Sequence, residues 1–506
     1  GRVVVASSPL YRYGISTRGA AVVSAELLRY RSFTRPGPVQ LVPRRAGSLV
    51  RHQVRVGDRV IDFTTVPFAV QPDTSVTLRE GGGPATIRFA GRDPATGVGL
   101  ELAYTFRPGT YAIGVEGRIT GLEAAAPLLL VEIGPTLAVN EADPREDFHA
   151  LAYVVNSTEQ GVRSTGLDAI RQGEERIEEG PLLWVALKNK YFVAAALARG
   201  EDADRYFGWL IVRDAGRLAA RLDATLPVGR DQRFRYDLYL GPQDYEQLAA
   251  LGRGLEDVNP YGWSVLRPVI RPLAHVITWA LVAMHRALGL GYGWVLILFG
   301  ILVRIVLWPL NARAMRAQLK NMELQPRLRE IQEKYRNDPE RLQKEMLRLY
   351  REEGFNPLGG CLPMLIPFPV LITLFFVFQS TIAFRGVPFL WLPDLSRPDP
   401  YYILPVILGA SMFLLQWIGQ RGMPPNPQMK MFTWFMPLFM VIIFLNLASG
   451  LNLYYAASNF ATIPQQLQLT RERRRRMPPT PPAAPAPAAR PARPAKPAPA
   501  RPKRKK

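Results

Sequence analysis

The stretch YGWVLILFGILVRIVLWPL, which runs from Tyr292 to Leu310, decides the architecture of this chain. It carries a single charged residue, Arg304, and its length is close to the ~20 residues that a helix needs to cross a bilayer. A charge at the centre of a spanning helix costs about 2.5–3.5 kcal/mol on insertion scales, so such a side chain faces a partner or a water-filled cavity. Arg304 therefore marks a functional site.

Four more apolar segments follow, and together with the first they predict five membrane spans: about 292–311, 361–383, 401–419, 430–447 and 450–468. None of the five contains Asp or Glu, so Arg304 has no carboxylate partner within the membrane. They do contain amides and hydroxyls, namely Gln379, Thr373, Gln416, Asn446, Asn452, Ser458 and Asn459. Such groups often only hold helices together. Beside an unpaired arginine, they favour a hydrated cavity lined by Arg304 and several amides.

Residues 1–245 predict a soluble, β-rich domain. Leu100–Phe106 and Arg233–Leu240 alternate apolar and polar residues as half-buried strands do, and Gly, Pro, Asp and Asn separate many such short runs. The pattern indicates a large antiparallel sandwich. Three carboxylates of this domain, on Asp143, Glu146 and Asp147, are expected in an exposed loop rather than in a catalytic pair.

Residues 246–290 predict a linker followed by an amphipathic helix. Within 262–288, polar residues recur at helical spacing opposite an apolar side; they are Arg271, His275, Thr278 and His285. This arrangement favours a helix that lies in the membrane interface. A further membrane span is the alternative.

The segment between the first two spans, 313–354, is rich in charge of both signs. Two apolar stripes in it are separated by Asn337-Asp338-Pro339, which predicts an antiparallel helical hairpin outside the membrane. Pro339 suits the first turn of the second helix, and Asp338 suits its N-cap.

The tail, 471–506, holds 13 Lys and Arg against one Glu, which is more than half of the chain's net charge of +21. Its Pro/Ala repeats predict disorder. The positive-inside rule places the hairpin, the loop 420–429 and the tail in the cytoplasm, and five spans then place the β-domain on the outer side. A basic tail implies an anionic partner, either nucleic acid or acidic lipid. A tail that only fixes the topology is the alternative.

The sequence gives no sign of an enzyme, a cofactor or a metal site. Cys361 is the only cysteine, the four histidines lack metal-ligand spacing, and no phosphate loop or nucleophile motif occurs. A small-anion transporter or channel with a periplasmic solute-binding domain stays open, as does an envelope protein that binds or modifies carbohydrate. Coupled transporters usually show intramembrane carboxylates and inverted repeats. Neither is found in the sequence, so the handling of polypeptides is favoured.

Five stretches of the membrane half carry a family resemblance: VRIVLWPL (303–310), NPLGGCLPML (356–365), DPYYILP (399–405), SGLNLYY (449–455) and SNFATIPQQ (458–466). In order and spacing they resemble the YidC/Oxa/Alb family of membrane protein insertases, in its Gram-negative form with a large periplasmic domain. The stretch LWVALKNKYF (183–192) resembles that periplasmic domain more loosely.

The resemblance implies a multidomain membrane protein, an N-terminal all-β periplasmic supersandwich followed by a polytopic α-helical core. The expected parts are the supersandwich (1–245), a linker with an interfacial helix (246–290), five transmembrane helices (291–470) with a flexible cytoplasmic hairpin (313–354), and the basic tail (471–506). It also implies a hydrophilic groove that is open to the cytoplasm and to lipid. Gly300 departs from the family pattern, which commonly has a small hydroxyl residue there. Gram-negative members carry one more N-terminal span, which we expect to precede Gly1.

We therefore predict a bacterial inner-membrane insertase and chaperone for newly made membrane proteins, acting as a monomer, alone or with the Sec translocon. The residues expected in the groove are Arg304, Gln416, Tyr455, Gln379, Asn459 and Tyr454. The residues expected to contact the ribosome or another anionic partner are Arg473, Arg474, Arg475, Arg476, Lys503, Arg504, Lys505 and Lys506.

Overall fold

The computed structural model describes residues 1–122, 126–200, 206–259, 266–352, 368–421 and 427–476. The strands in these ranges are β1 Val3–Ser7, β2 Tyr11–Ser16, β3 Val22–Arg31, β4 Pro38–Gln40, β5 Val50–Val56, β6 Arg59–Asp62, β7 Phe68–Gln71, β8 Val76–Thr77, β9 Ala85–Arg92, β10 Gly99–Phe106, β11 Ala112–Thr120, β12 Leu128–Ile133, β13 Ala152–Ser157, β14 Gly161–Gly166, β15 Glu175–Lys188, β16 Phe192–Ala198, β17 Phe207–Asp214, β18 Ala220–Pro227 and β19 Arg233–Pro242. The helices are α1 Pro144–Ala150, α2 Tyr245–Ala249, α3 Arg267–Leu288, α4 Tyr292–Lys334, α5 Pro339–Glu352, α6 Phe368–Ser380, α7 Ile403–Gln420, α8 Pro427–Phe444 and α9 Ser449–Arg476.

The chain divides into two compact units. The first, here the β-domain unit, comprises Gly1–Leu296, Leu365–Tyr401 and Leu447–Leu453. The second, here the helical unit, comprises Ile297–Met364, Tyr402–Asn446 and Tyr454–Lys506. The β-domain unit therefore contains α3, α6, the loop after α6 and the first turn of α9 in addition to the strands.

Fourteen of the strands form two layers that share one long strand, β15. One layer has the order β14-β13-β15-β16-β19-β11-β10-β9-β7, and the other has the order β6-β5-β12-β18-β17-β15. The other five, β1 to β4 and β8, join the second layer through the pairing of β3 with β5, and β1 pairs with β8 in parallel. The first half of β15 pairs with β17 and its second half pairs with β13 and β16, because the ladder breaks between Glu179 and Leu182. Gly180 and Pro181 occupy that break, and proline cannot donate to a ladder. The predicted antiparallel sandwich is confirmed.

Alternating strands supply the core of the sandwich, as the sequence pattern predicts. In β10 the buried side chains are Leu100, Leu102, Tyr104 and Phe106, and β19 alternates in the same way from Phe234 to Leu238, after which Tyr239 and Leu240 are both buried. Large aromatic rings fill much of the space between the layers, and Trp184 is fully buried. A core of this size stabilises the domain chiefly by removing apolar surface from water.

Each predicted membrane segment contains a helix, but only two helices are long and apolar enough to span a bilayer by length and composition among the described residues. These are the stretches Tyr292–Ala312 of α4 and Ile403–Gln420, which is α7. Pro369–Ser380 in α6 and Thr433–Phe444 in α8 are apolar but shorter. The start of the second predicted span, Cys361 to Pro367, lies outside the described residues.

Two helices continue further than the segments predicted from the sequence. α4 is one helix from Tyr292 to Lys334, so the first span and the first hairpin helix are continuous. α9 continues to Arg476, so the run Arg471–Arg476 is helical rather than part of a disordered tail. Both extensions are rich in residues with high helix propensity, and Pro478 is the next proline after Pro464.

The break within the charged segment is confirmed. α5 begins at Pro339, and the Asp338 carboxylate accepts a hydrogen bond from the backbone N–H of Arg341 at 3.1 Å. Asp338 is therefore an N-cap, and its negative charge also suits the positive end of the helix dipole.

Candidate functional site

The site begins with a close approach of α4 and α9 at Gly300. A Cβ placed on this glycine would lie 3.1 Å from the Tyr454 carbonyl oxygen and 3.4 Å from the Ser458 nitrogen. A Cβ at these distances would be in tight contact, so a glycine suits the close approach of the two backbones, as small residues commonly do between membrane helices. Packing against α9 therefore favours the glycine at this position.

Arg304 lies one turn after Gly300 and is half-buried. Its Nε donates a hydrogen bond to Ser458 Oγ on α9 at 2.6 Å. Among the described residues, no Asp or Glu forms an ion pair with Arg304, and none accepts a hydrogen bond from its two terminal nitrogens. The hydroxyl holds the guanidinium against α9, and the terminal nitrogens are left for water or for a carboxylate of a bound molecule.

Two tyrosines of α9 stand beside the arginine. Tyr454 is buried and its ring centroid lies 5.9 Å from that of Phe299 on α4. Tyr455 is half-buried, 5.2 Å from Tyr454 and edge-on to Phe444 of α8 at 5.5 Å. Because a tyrosine has an apolar ring and a polar hydroxyl, the two side chains form a surface that is apolar and can also make hydrogen bonds.

Polar side chains fasten α9 to its neighbours. Asn459 Nδ2 donates to Ser411 Oγ on α7 at 3.0 Å, and Gln465 Nε2 donates to the Trp308 carbonyl on α4 at 3.1 Å. Both α9 residues are buried. Interhelical bonds of this kind are each worth about 0.6 kcal/mol in membrane proteins. Asn459, predicted in the groove, therefore holds α7 and α9 together in this structure.

The remaining predicted groove residues are more dispersed. Gln416 is half-buried on α7 in the helical unit. Gln379 belongs to the β-domain unit, where it is exposed near the end of α6, and its place in the groove stays a prediction. The sequence pattern marks Ser458 only as one polar residue of a span, and it does not single out Ser411 or Gln465. Ser458 lies four residues after Tyr454, so the helical period could have placed it on the same face.

The basic residues are described only in part. Arg473, Arg474, Arg475 and Arg476 are the last residues of α9, and Arg475 is exposed. The predicted contacts Lys503, Arg504, Lys505 and Lys506 lie outside the described residues, as does the motif at 356–365. No group of three or more His, Cys, Asp or Glu side chains that could hold a metal occurs among the residues that the structure describes.

A sandwich domain followed by apolar helices, one of which carries a half-buried cation, is typical of an integral membrane protein with a large extramembrane domain. Comparison with known families agrees. The model of the YidC periplasmic domain matches residues 3–276, and the model of the 60Kd inner membrane protein family matches residues 283–476. The chain belongs to the YidC family of membrane protein insertases, an inner-membrane family with a periplasmic domain.

Individual members of the family match this chain over most of their length. The chain is 32% identical to the membrane protein insertase YidC of Chlorobium luteolum, over 92% of this chain and 82% of that protein. It is 31% identical to the membrane protein insertase YidC of Cupriavidus taiwanensis, over 93% of this chain and 82% of that protein.

Solved structures also match. An active YidC insertase with its first transmembrane domain resolved is 17% identical and covers 93% of this chain and 92% of its own, at a TM-score of 0.35. A galactose mutarotase-like protein from Lactobacillus casei is 10% identical and covers 48% of this chain and all of its own, at a TM-score of 0.33.

Proposed function

We propose that this protein inserts newly made inner-membrane proteins into the bilayer and helps them fold, through a hydrophilic groove that contains Arg304. The observation that carries the proposal is the state of Arg304 itself. Its guanidinium lies in an apolar helix, is held by the hydroxyl of Ser458, and has no carboxylate partner among the described residues. A cation left in this state is suited to attract an acidic group that arrives from outside.

The physical task of an insertase explains why such a site is useful. A substrate helix must carry a polar terminal segment across hydrocarbon, and each charged residue at the bilayer centre costs several kcal/mol. A wet, cationic cavity part of the way into the membrane shortens the apolar passage. It also attracts acidic residues in the segment, while the apolar substrate helix moves out between the helices into lipid. The step uses binding energy alone and no nucleotide chemistry.

The proposed lining of the groove extends from Arg304 along α9 and α7. It comprises Arg304, Gln416, Tyr454 and Tyr455, with Asn459 holding α7 and α9 together at its side. Gln379 is proposed as a further lining residue.

The proposed topology has five spans, formed by α4, α6, α7, α8 and α9. The hairpin and the basic tail are cytoplasmic because positive charge favours that side, and an odd number of spans then puts the β-domain in the periplasm. Helix α3 lies in the outer interface. Its Arg271 and His275 contact Asp257 at the base of the β-domain, whereas Val276 and Trp279 are exposed, the latter at 67%. Exposed Trp at a membrane surface is a common interfacial anchor.

The proposed partners are nascent membrane proteins and the lipid bilayer, with the Sec translocon as an optional partner and the monomer as the active form. The basic tail is proposed to contact ribosomal RNA. Arg471 and Arg475, exposed on the last turns of α9, support an anionic partner, since phosphate contacts draw on such side chains.

The test replaces Arg304 by Ala and by Lys and follows insertion of a single-span substrate whose translocated segment is either acidic or neutral. Because a charge-assisted hydrogen bond contributes about 1.5–3 kcal/mol, we expect Arg304→Ala to slow insertion of the acidic substrate by roughly tenfold or more. Arg304→Lys keeps the charge and should retain part of the rate. The neutral substrate should be affected much less.

A matched control is Arg421→Ala in the same helical unit. Arg421 follows α7 and stacks on the Trp417 ring at 3.6 Å, so its removal deletes a cation without touching the groove. Insertion by the control should equal that of the wild type. Unimpaired insertion of the acidic substrate by Arg304→Ala, in cells depleted of the native protein, would refute the electrostatic mechanism.

A further inference from the structure

Arg385 follows α6 in the chain, yet its guanidinium is buried against the β-sandwich. Its side chain is 2% exposed, and its Nε donates to Glu141 Oε1 at 2.7 Å, where the Glu141 side chain is 4% exposed. The terminal nitrogens donate to the carbonyl oxygens of Arg31 at 2.9 Å and of Asn140 at 3.4 Å. All three nitrogens of the guanidinium are thus bound by the β-domain.

Aromatic rings also contact the Arg385 guanidinium. The guanidinium carbon lies 4.4 Å from the ring centroid of Phe33 and 5.4 Å from that of Phe192. Cation–π contacts strengthen when the pair is removed from water, as it is here. A lysine could not reproduce this arrangement, because only the planar guanidinium can stack on rings and donate in several fixed directions at once.

Helix α1 fixes the backbone of the residues that bind the Arg385 guanidinium. Asp147 is buried, contrary to its expected place in an exposed loop, and its Oδ2 accepts the backbone N–H groups of Asn140 at 2.9 Å and Glu141 at 3.2 Å. Asp143 caps α1 by accepting from the Arg145 N–H at 3.0 Å. The carboxylate that binds Arg385 is therefore presented by a fixed backbone.

The loop that carries Arg385 also holds the first turn of α9. Within the loop, the Leu395 N–H donates to the Val387 carbonyl at 3.0 Å. The Leu395 carbonyl then accepts the Gly450 N–H at 2.9 Å, and the Arg397 carbonyl accepts the Ser449 N–H at 2.7 Å. The first N–H groups of a helix have no partner within the helix, so the loop supplies acceptors that α9 would otherwise lack.

The fit at Gly450 is close. A Cβ added there would lie 3.1 Å from the Leu395 carbonyl oxygen, so α9 begins in direct backbone contact with the loop. α9 is one continuous helix from Ser449 to Arg476. Its first turn and Ser458, which accepts the hydrogen bond from Arg304, therefore belong to the same helix.

We propose that Arg385 is a positioning residue through which the β-domain fixes the start of α9, the helix that also carries Ser458. The link runs from Glu141 through Arg385, along the loop to Leu395, and on to Gly450. Loss of Arg385 removes the ion pair and the two carbonyl hydrogen bonds that fasten this part of the loop to the β-domain, and the acceptors for the first N–H groups of α9 are then held less firmly.

Hydrogen exchange of the full-length protein in lipid nanodiscs measures this link directly. In Arg385→Ala we expect the amides of Ser449 and Gly450 to exchange about tenfold faster or more, because the loop carbonyls that accept from them are no longer held in place. The amides of β10 should exchange as in the wild type, because this strand pairs with β9 and β11 and lies outside the contacts of Arg385. Unchanged exchange at Ser449 and Gly450 overturns the proposal.

Arg385→Ala leaves Glu141 buried without a partner, which could itself unfold the β-domain. A second variant separates this effect from the loss of the link to α9. In the double variant Arg385→Met with Glu141→Gln, both charges are removed and most of the volume is kept, a change that buried ion pairs often tolerate. The same faster exchange is expected at the start of α9, with the amides of β10 still protected. If only Arg385→Ala speeds exchange in α9, and it speeds exchange in β10 as well, the effect is general unfolding and the proposal fails.

The matched control is Arg51→Ala, which breaks another ion pair of the sandwich, between Arg51 and Glu132 on β5 and β12. This pair does not involve the loop, so exchange at Ser449 and Gly450 should not change. Insertion assays add a second readout that rests on the proposed function. Arg385→Ala should slow acidic and neutral substrates alike, unlike Arg304→Ala, so the two proposals can fail separately.

Discussion

Lys188 on β15 offers a sharp test of how the β-domain is stabilised. It is buried, its Nζ donates to Asn259 Oδ1 at 2.8 Å, and burial lowers its pKa from 10.5 to about 8. The unfolded chain therefore keeps this proton up to pH 10.5, whereas the folded chain releases it above pH 8. Between these values the unfolded state binds more protons, so stability rises with pH. Below pH 8 the free-energy cost of burying the charged Lys188 side chain does not change with pH.

The size of this free-energy cost follows from how far the pKa of Lys188 is lowered. A difference of 2.5 pH units at 1.36 kcal/mol per unit disfavours the folded state by about 3 kcal/mol at pH 7. Lys188→Met keeps the length of the side chain and removes the charge, but it forfeits the hydrogen bond to Asn259, worth about 1 kcal/mol. We expect the variant to be more stable than the wild type by about 2 kcal/mol at pH 7 and nearly equal to it at pH 10.

The assay is urea-induced unfolding of the purified protein in detergent, followed by tryptophan fluorescence at pH 7, 8.5 and 10. Trp184 is fully buried in the same strand and reports on it. The control is Lys190→Met. Lys190 pairs with Glu146 at 2.7 Å, and its contacts with Tyr191 and Glu146 raise its pKa against the lowering effect of burial. This variant should be destabilised at pH 7. A Lys188→Met protein that is no more stable than the wild type at pH 7, or a gain that persists at pH 10, would contradict the reasoning.

Three further outcomes are expected. Gly300→Val should separate α4 from α9, lower the free energy of unfolding by about 1–3 kcal/mol and reduce insertion, with Gly300→Ala milder, as measured by thermal melting and insertion of a single-span substrate. Asp257→Asn should weaken the hold of the β-domain on α3 by about 1 kcal/mol, since its partner Arg271 is half-exposed, and exchange of the α3 amides should rise. Deleting 477–506, which carries eight Lys and Arg, should reduce ribosome co-sedimentation and flatten its dependence on salt; co-sedimentation that does not change would favour anionic lipid as the partner.

The sequence located the main parts of this protein because each is encoded locally. Alternation of apolar and polar residues in β10 and β19 predicts strands, and an apolar run around Arg304 predicts a membrane helix. Helix ends were harder to predict. α4 and α9 both continue into charged segments, because charge at the surface of a helix does not stop it.

Pairings between distant residues could not be read from the sequence. Arg304 was recognisable as a cation that needs a partner, but the choice of Ser458, 154 positions later, depends on how Gly300 lets α4 approach α9. The same holds for β15, whose two halves pair with different strands in a way that only the break at Gly180 and Pro181 hints at.

The sequence by itself determined the two kinds of environment in this protein, the presence of one uncompensated cation in an apolar helix, and the family. The environments and the cation follow from composition and short-range periodicity, whereas the family follows from the resemblance of the quoted motifs. Tertiary structure alone decided which groups meet. It turned Asp147 from an expected surface residue into a buried support, and it brought Arg385 to Glu141 across 244 positions. A buried polar group must find a partner wherever the fold provides one, and sequence distance places no limit on where that partner lies.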